Sequence, residues 1–316
     1  QVPTARWEAF SDVQAALAAI NRWRGPVVIK ADGITGGRGA YVCMTKVQAE
    51  RALNQLLVES VFGVAGRRVV VEEFLQGLEA SVTVLTDGEN VVPLPVVRSE
   101  KRFGEGDSGP NTDGMGAWLP VEELYEQQIE EAVEAGIKPA LQDMRDRGLP
   151  YVGVLYADVM FTRTGPKVLE YNCRFGDIEA QALVRTMDDD LLELLHATAS
   201  GNLAGMSVAE PTIAAAAVQL VGEGYPERET SVPVAIGGLA DAADMDDIEI
   251  FVGNVGTAGT GSKMTLTADG GRVLTVTATG SDAEQAAAAA QEAASRIVFD
   301  GRVLRTDIAA GAGSLV

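Results

Sequence analysis

Two short apolar strands, Val27–Ile29 and Tyr41–Met44, flank a glycine-rich stretch from Gly33 to Gly39. A strand–glycine–strand order restricts the fold strongly. Consecutive glycines let backbone N–H groups converge on an anion without Cβ obstruction. Lys30 and Arg38 add positive charge at either end. No Gly-Lys-Ser/Thr opens a helix here, so the segment is not a Walker A loop. A flexible hairpin tip is the alternative.

The rest of the chain supports mixed layers. Val13, Ala16, Leu17 and Ile20 have helical spacing after Ser11. Thr45 with Gln48 reads as a capping box for a helix carrying Leu53, Leu56 and Leu57. Val69–Val71 is a strand, and Asp87-Gly88 joins Ser81–Thr86 to Asn90–Val97 as a hairpin. Residues 99–120 are polar and glycine-rich and read as a long functional loop. A helix is expected over about 121–146, and two strands, Tyr151–Phe161 and Lys167–Tyr171, meet through Arg163-Thr164-Gly165. A second helix is expected from Asp177 to Ala199, and Arg272–Thr279 and Ser281–Ile297 give a strand and a helix in the tail. The fold class is therefore α+β rather than a regularly alternating doubly wound sheet. The expected division is 1–210, with a lid over about 11–84 and a central sheet over about 85–210, followed by a smaller α/β unit over 211–316.

The chemical inventory is narrow. The 316 residues include one histidine, His196, in an apolar helical run that suggests packing. His-based nucleophile activation or metal binding is thereby disfavoured, which leaves carboxylates, Lys, Arg and backbone amides. A formal charge of −20 argues against nucleic-acid binding, which needs a basic footprint. No apolar run approaches the ~20 residues of a membrane span. Cys43 and Cys173 lie far apart and form no CxxC, which suggests a reducing, cytoplasmic compartment. The sequence opens Gln1-Val2-Pro3 without an initiator Met, so a fragment or a processed form is expected.

Three further segments carry candidate chemistry. Glu72-Glu73-Phe74-Leu75, followed by Glu79, leaves a strand for a connector and could meet an adenine edge and a ribose; a solvated strand end is the bland reading. Glu170 and Asn172 are two apart on a strand and share a face. With Asp158 on the neighbouring strand they form a set of oxygen donors suited to magnesium. Arg174 adds a planar donor for phosphate or carboxylate. The segment from Gly104 to Trp118, preceded by Lys101 and Arg102, could be a substrate loop or a structural Ω-loop.

Taken in order, VVIKADGITGGRG, VVVEEFLQGLEASV, EKRFGEGDSGPNTDGMGAW, VLEYNCRFGDIEAQ and GGRVLTVTATG resemble the phosphoribosylamine–glycine ligase family of ATP-grasp enzymes, from about Pro3 to Ile308. The resemblance implies a β-rich lid over a central mixed sheet, ATP with Mg2+ (Mn2+ as an alternative), and ligation of an amino acid to an amine. Lys30, Gly36, Gly37, Arg38 and Gly39 would hold phosphates. Glu72, Glu73 and Leu75 would meet adenine, and Glu79 the ribose. Glu170 and Asn172 would bind the metal, with Asp158 an additional ligand whose loss in Asp158→Asn should weaken magnesium binding. Arg174 and Asp177 would face the reacting groups. Asp107, Asn111, Thr112, Gly114 and Met115 would close over the small-molecule substrates.

This sequence departs from the family pattern at Arg38, where lysine is usual, and at Asp113, where glycine is usual. The family also has an N-terminal domain ahead of the position of Pro3. A fragment, a separately supplied domain and a changed substrate are the three explanations. The readings carried forward are a ligase joining glycine to 5-phosphoribosylamine in purine biosynthesis, an ATP-grasp ligase of another pathway, and a non-catalytic nucleotide-binding subunit.

Overall fold

Alternation of apolar and polar residues along the first strands decides which side of their sheet is covered. In the computed structural model, which describes residues 2–35, 39–228, 230–261, 264–310 and 312, the chain starts with β1 (Trp7–Phe10), α1 (Val13–Trp23), β2 (Val27–Ala31), β3 (Ala40–Cys43), α2 (Lys46–Leu53) and β4 (Val69–Glu73). The four strands form an antiparallel sheet in the order β1-β4-β2-β3. Val27, Ile29, Val69 and Val71 pack against Ala16, Ile20, Ala49 and Leu53 of the two helices. Val28, Lys30 and Glu72, one residue out of phase, line a large cleft instead. The cap of α1 is Asp12 rather than Ser11: its carboxylate accepts from the Ala15 N–H at 2.8 Å. The Thr45–Gln48 capping box is present. The lid sheet ends at Glu73, short of the expected limit near 84.

The next strand, β5 (Leu78–Thr86), belongs to the central sheet, and Asp87 folds the chain into β6 (Val91–Pro93) by accepting from the Glu89 and Asn90 N–H groups. Residues 99–120 are not a loop. They form β7 (Arg98–Gly104) and β8 (Ser108–Leu119), an antiparallel hairpin with register shifts around Arg102. Polar, glycine-rich composition concealed these strands because one face looks into the cleft and the register is irregular. The following helix starts at α3 (Glu126–Glu131), later than expected, and continues through a wider turn over Ala132–Ile137 into α4 (Lys138–Asp146). Strands β9 (Gly153–Thr162) and β10 (Gly165–Asn172) complete an antiparallel sheet of order β10-β9-β5-β6. Val133, Ile137 and Leu141 cover the face carrying Ala80, Val82, Ala157 and Val159. The opposite face belongs to the cleft.

The helix expected over Asp177–Ala199 is two helices, α5 (Asp177–Leu183) and α6 (Leu191–Ser200). Asp190 interrupts it by capping α6, accepting from the Leu192 and Glu193 N–H groups. His196 lies exposed on α6, not packed as its sequence context suggests. The tail contains β11 (Ala214–Val221), β12 (Val234–Ala235), α7 (Leu239–Ala243), β13 (Ile248–Val252), β14 (Val255–Ala258), β15 (Thr265–Ala268), β16 (Arg272–Gly280) and α8 (Ala283–Arg296). Its main sheet runs β13-β16-β11-β8-β7, so two strands from before residue 120 are continuous with the C-terminal strands. The boundary expected at 210/211 therefore falls in the coil ahead of β11 without separating two sheets. Every β11 residue is buried: Ala216, Val218 and Leu220 face α8, while Ala215 and Ala217 face α5 and α6. Among the described residues no helix is long and apolar enough to cross a membrane.

Gly114 and Met115 were expected at the substrate. Met115 is fully buried beside Val221 and Tyr225. Gly114 has φ +111, and a Cβ there would stand 2.6 Å from Cγ2 of Ile178 on α5. Both residues therefore serve packing. Gly114→Ala is expected to lose about 1–3 kcal/mol of stability through backbone strain and overlap. Thermal unfolding checks this, and an unchanged melting temperature would show that β8 and α5 can separate freely.

Candidate active site

The cleft, of about 2230 Å3, lies between the lid sheet, the bare face of the central sheet, the β7–β8 hairpin and α5. A bulge in β10 shapes its floor. The register shifts between Val168 and Glu170, so Glu170 comes opposite Asp158 and Asn172 opposite Tyr156. Glu170 and Asn172 share that face, and the Asn172 amide donates to Glu170 Oε1 at 3.2 Å. Tyr171, between them, points the other way and donates to the Gly136 carbonyl beneath the sheet. The bulge also frees the Leu169 carbonyl, which accepts from Lys30 Nζ of the lid at 3.2 Å. Lys30 pairs with Glu72 at 2.9 Å as well, so one ammonium links the two sheets.

Strand alternation sends Glu79, Ser81 and Asp158 to the same face. Asp158 is 2% exposed and already fully engaged. Tyr156 donates to its Oδ1 at 2.6 Å, and Lys101 Nζ lies 2.6 Å from its Oδ2. The same ammonium meets Glu79 Oε1 at 2.7 Å. Burial alone would lower the Lys101 pKa, but Asp158 and Glu79 outweigh it and hold the value well above that of free lysine. These contacts engage the Asp158 carboxylate with Tyr156 and Lys101, so a cation brought to it would face the Lys101 ammonium. Among the described residues no group of three or more His, Cys, Asp or Glu is arranged to hold a metal. The remaining pair, Glu170 and Asn172, supplies two oxygen donors at the cleft, a set that suits magnesium retaining waters and phosphate oxygens.

The other expected residues distribute as follows. Glu72, Leu75 and Glu79 line the cleft. Glu73 also borders it, but its carboxylate accepts from the Arg6 N–H at 2.9 Å and from Lys167 at 3.2 Å, which lowers its pKa. Gly39 is buried beside Thr35 and its carbonyl accepts from the Ala31 N–H. Gly36, Gly37 and Arg38 lie outside the described residues. Asp107, Asn111, Thr112, Arg174 and Asp177 all border the cleft. Thr112 Oγ1 donates to the Lys101 carbonyl at 2.9 Å, which ties the two hairpin strands beside the ammonium.

Four residues at this site were given no role by the sequence, which named Lys101 only as preceding the candidate loop. Lys101 is the cation of the cleft floor. Arg272, at the start of β16, pairs with Asp177 and reaches within 3.9 Å of Asp113. Arg305, nearly buried, binds Asp307 and sits 3.3 Å from Glu100. Asp307 in turn accepts from the Gly106 N–H, so the tail holds the turn of the β7–β8 hairpin. Glu179 on α5 is 7% exposed. Only the helical phase of Glu179, one turn from Phe175 and Gly176, offered a signal; the arginines come from a part of the chain whose pairing with β8 cannot be read locally.

Residues 1–180 match the family described as phosphoribosylglycinamide synthetase, ATP-grasp (A) domain, and residues 215–311 its C domain. The chain belongs to the phosphoribosylamine–glycine ligase family. A phosphoribosylamine–glycine ligase of Mesorhizobium japonicum is 41% identical over 307 residues, covering 97% of this chain and 71% of that protein. The chicken trifunctional purine biosynthetic protein adenosine-3 is 40% identical over 309 residues, 97% of this chain; the chain spans 30% of its length. The crystal structure of a phosphoribosylamine–glycine ligase from Thermotoga maritima superposes with a TM-score of 0.84 at 32% identity, covering 97% of this chain and 75% of that one. The ATP-grasp fold and the C domain of this family thus account for the three sheets that border the cleft.

Two outcomes follow from the ionisable groups. Asp158→Asn is expected to destabilise the protein, because Lys101 loses one of its two carboxylates, while the magnesium concentration for half-maximal ADP release stays within twofold of wild type. A large rise in that concentration would restore Asp158 as a ligand. Burial raises the Glu179 pKa, opposed by a hydrogen bond from Ser99. The native state then holds its proton longer than the unfolded chain does. This contribution is complete below the unfolded value of about 4.3 and is lost as pH rises through the higher native value. Glu179→Gln is therefore expected to gain melting temperature relative to wild type as pH rises above the unfolded value of about 4.3; a constant difference would show that Glu179 does not titrate in the native state.

Proposed function

We propose that the protein is an ATP- and magnesium-dependent ligase that joins glycine to 5-phosphoribosylamine. The observation that carries this reading is the pair Glu170 and Asn172 on one face of β10, beneath a lid strand whose Lys30 reaches the same strand. Membership of the ligase family supports the same reaction. Bound magnesium would neutralise charge between phosphate oxygens during phosphoryl transfer to the glycine carboxylate.

The chain's own groups position and exclude. Lys30, together with the glycine stretch that follows it, offers positive charge and backbone donors to the nucleotide phosphates. Leu75 and the strand end at Glu72 border the adenine side, and Glu79 the ribose side. Lys101 holds Glu79 and Asp158 in place and contributes positive charge at the centre of the floor. Arg174 and the Arg272–Asp177 pair border the opposite end, where the acyl group and the amine would meet. Attack of an amine on an acyl phosphate needs orientation and exclusion of water more than a strong base. The lid and the β7–β8 hairpin enclose such a space. Cys43 and Cys173 are free thiols, which supports a cytoplasmic setting.

A ligase acting on a different amine is the second reading, favoured by the Asp113 carboxylate beside Arg272. ADP release with glycine plus 5-phosphoribosylamine, compared with a panel of other amino acids and amines, decides between them. Outer-shell partners of metal ligands are worth about 10–100-fold in activity. Glu170→Gln, at a ligand itself, is expected to lose at least as much, while His196→Ala stays at wild-type activity. Full activity of the Glu170 variant, or release with no amino acid and amine pair, would remove the ligase assignment.

A further inference from the structure

We propose that Asp113 is a specificity-determining residue that competes with the substrate for Arg272, the receptor for an anionic group on the amine. The proposal rests on the ligase reading and specifies how that site selects its amine. Arg272 emerges from β16 into the cleft, and its side chain remains 29% exposed. One guanidinium nitrogen, Nη1, pairs closely with Asp177 Oδ2. The other, Nη2, lies 3.9 Å from Asp113 Oδ2.

The two carboxylates are held differently. Asp177 is further fixed by Gln181, whose amide donates to its Oδ1 at 3.1 Å. Asp113 has its backbone pinned, since its N–H donates to the Tyr225 hydroxyl at 3.2 Å. Its carboxylate, about as exposed as that of Asp177 (48% against 52%), reaches Arg272 only at the limit of an ion pair. Arg272 thus has one fixed partner and one exchangeable partner. A guanidinium edge suits a phosphate or carboxylate, whose two oxygens it can bind in parallel. An incoming phosphorylated amine would have to displace the Asp113 carboxylate, which could turn into the cleft without disturbing the pinned backbone. Arg272 between two carboxylates carries a net charge of −1, which repels an anion. Without the Asp113 charge, the group is neutral and the edge open.

Removing one like charge about 4 Å from a bound anion at high dielectric changes affinity by about fivefold. The test uses the full chain with its nucleotide site filled by a non-hydrolysable ATP analogue and magnesium. Ribose 5-phosphate, inorganic phosphate and neutral ribose are titrated calorimetrically into wild type, Asp113→Asn and Arg272→Lys. Asp113→Asn is expected to bind ribose 5-phosphate about fivefold more tightly, with ribose unchanged. Arg272→Lys, which keeps charge but loses the fork, is expected to bind it more weakly than wild type. A matching gain for inorganic phosphate identifies a receptor for the bare anion. A gain confined to ribose 5-phosphate identifies one for the sugar phosphate. Either supports the proposal. No gain in Asp113→Asn, or equal gains for ribose and ribose 5-phosphate, overturns it. Because titration needs no turnover, a positive shift without ADP release from glycine and 5-phosphoribosylamine would reject only the reading of those two as the substrates. Turnover without the shift would reject only the role of Asp113.

Discussion

Three strands of the cleft floor bring Glu79, Asp158 and Glu170 onto adjoining positions of one sheet face, and the structure depends on how that negative charge is managed. Like charges placed directly across a strand pair are destabilising. Lys101 answers this from a neighbouring sheet by lying between Glu79 and Asp158. One carboxylate, Glu170, remains available beside Asn172. The floor is therefore divided into a neutralised half and an open half.

A second dependence is the pairing of β8 with β11. It carries a hairpin from the middle of the chain into the C-terminal sheet. Through that sheet, Arg272 and Arg305 arrive at the cleft, although neither lies near the nucleotide motifs in sequence. The all-small face of β11, Ala215 and Ala217, lets α5 approach closely, and α5 brings Asp177 and Glu179 with it. Packing of alanines thus places the acidic end of the cleft.

What the sequence made legible was local and periodic. The lid strands, the capping box at Thr45, the Asp87-Gly88 turn and the same-side placement of Glu170 and Asn172 all follow from two- to four-residue rules. What escaped it was long-range. The β7–β8 strands read as a loop because their hydrophobic partner, β11, lies about a hundred residues away and supplies the burial that their own composition lacks. Alternation puts Asp158 on the same face as Glu170, but no spacing rule reveals that Lys101 lies against it. Gly114 and Met115 were drawn to the substrate by their motif, whereas their glycine conformation and burial serve the contact with α5 and Tyr225. The break between α5 and α6 was signalled by Asp190, whose capping capacity the apolar periodicity masked.

The tie between the 305–307 segment and the turn at Gly106 has a consequence for synthesis. A chain made from its N-terminus exposes the β7–β8 hairpin long before Arg305 and Asp307 exist. Until they emerge, β8 lacks its neighbour β11 as well, and an unpaired edge with an apolar half stands in water. The lid and the central sheet can assemble early, but the wall that contains the β7–β8 hairpin is completed only after residues 305–307 have been translated. In that interval the hairpin is at risk of pairing with other chains.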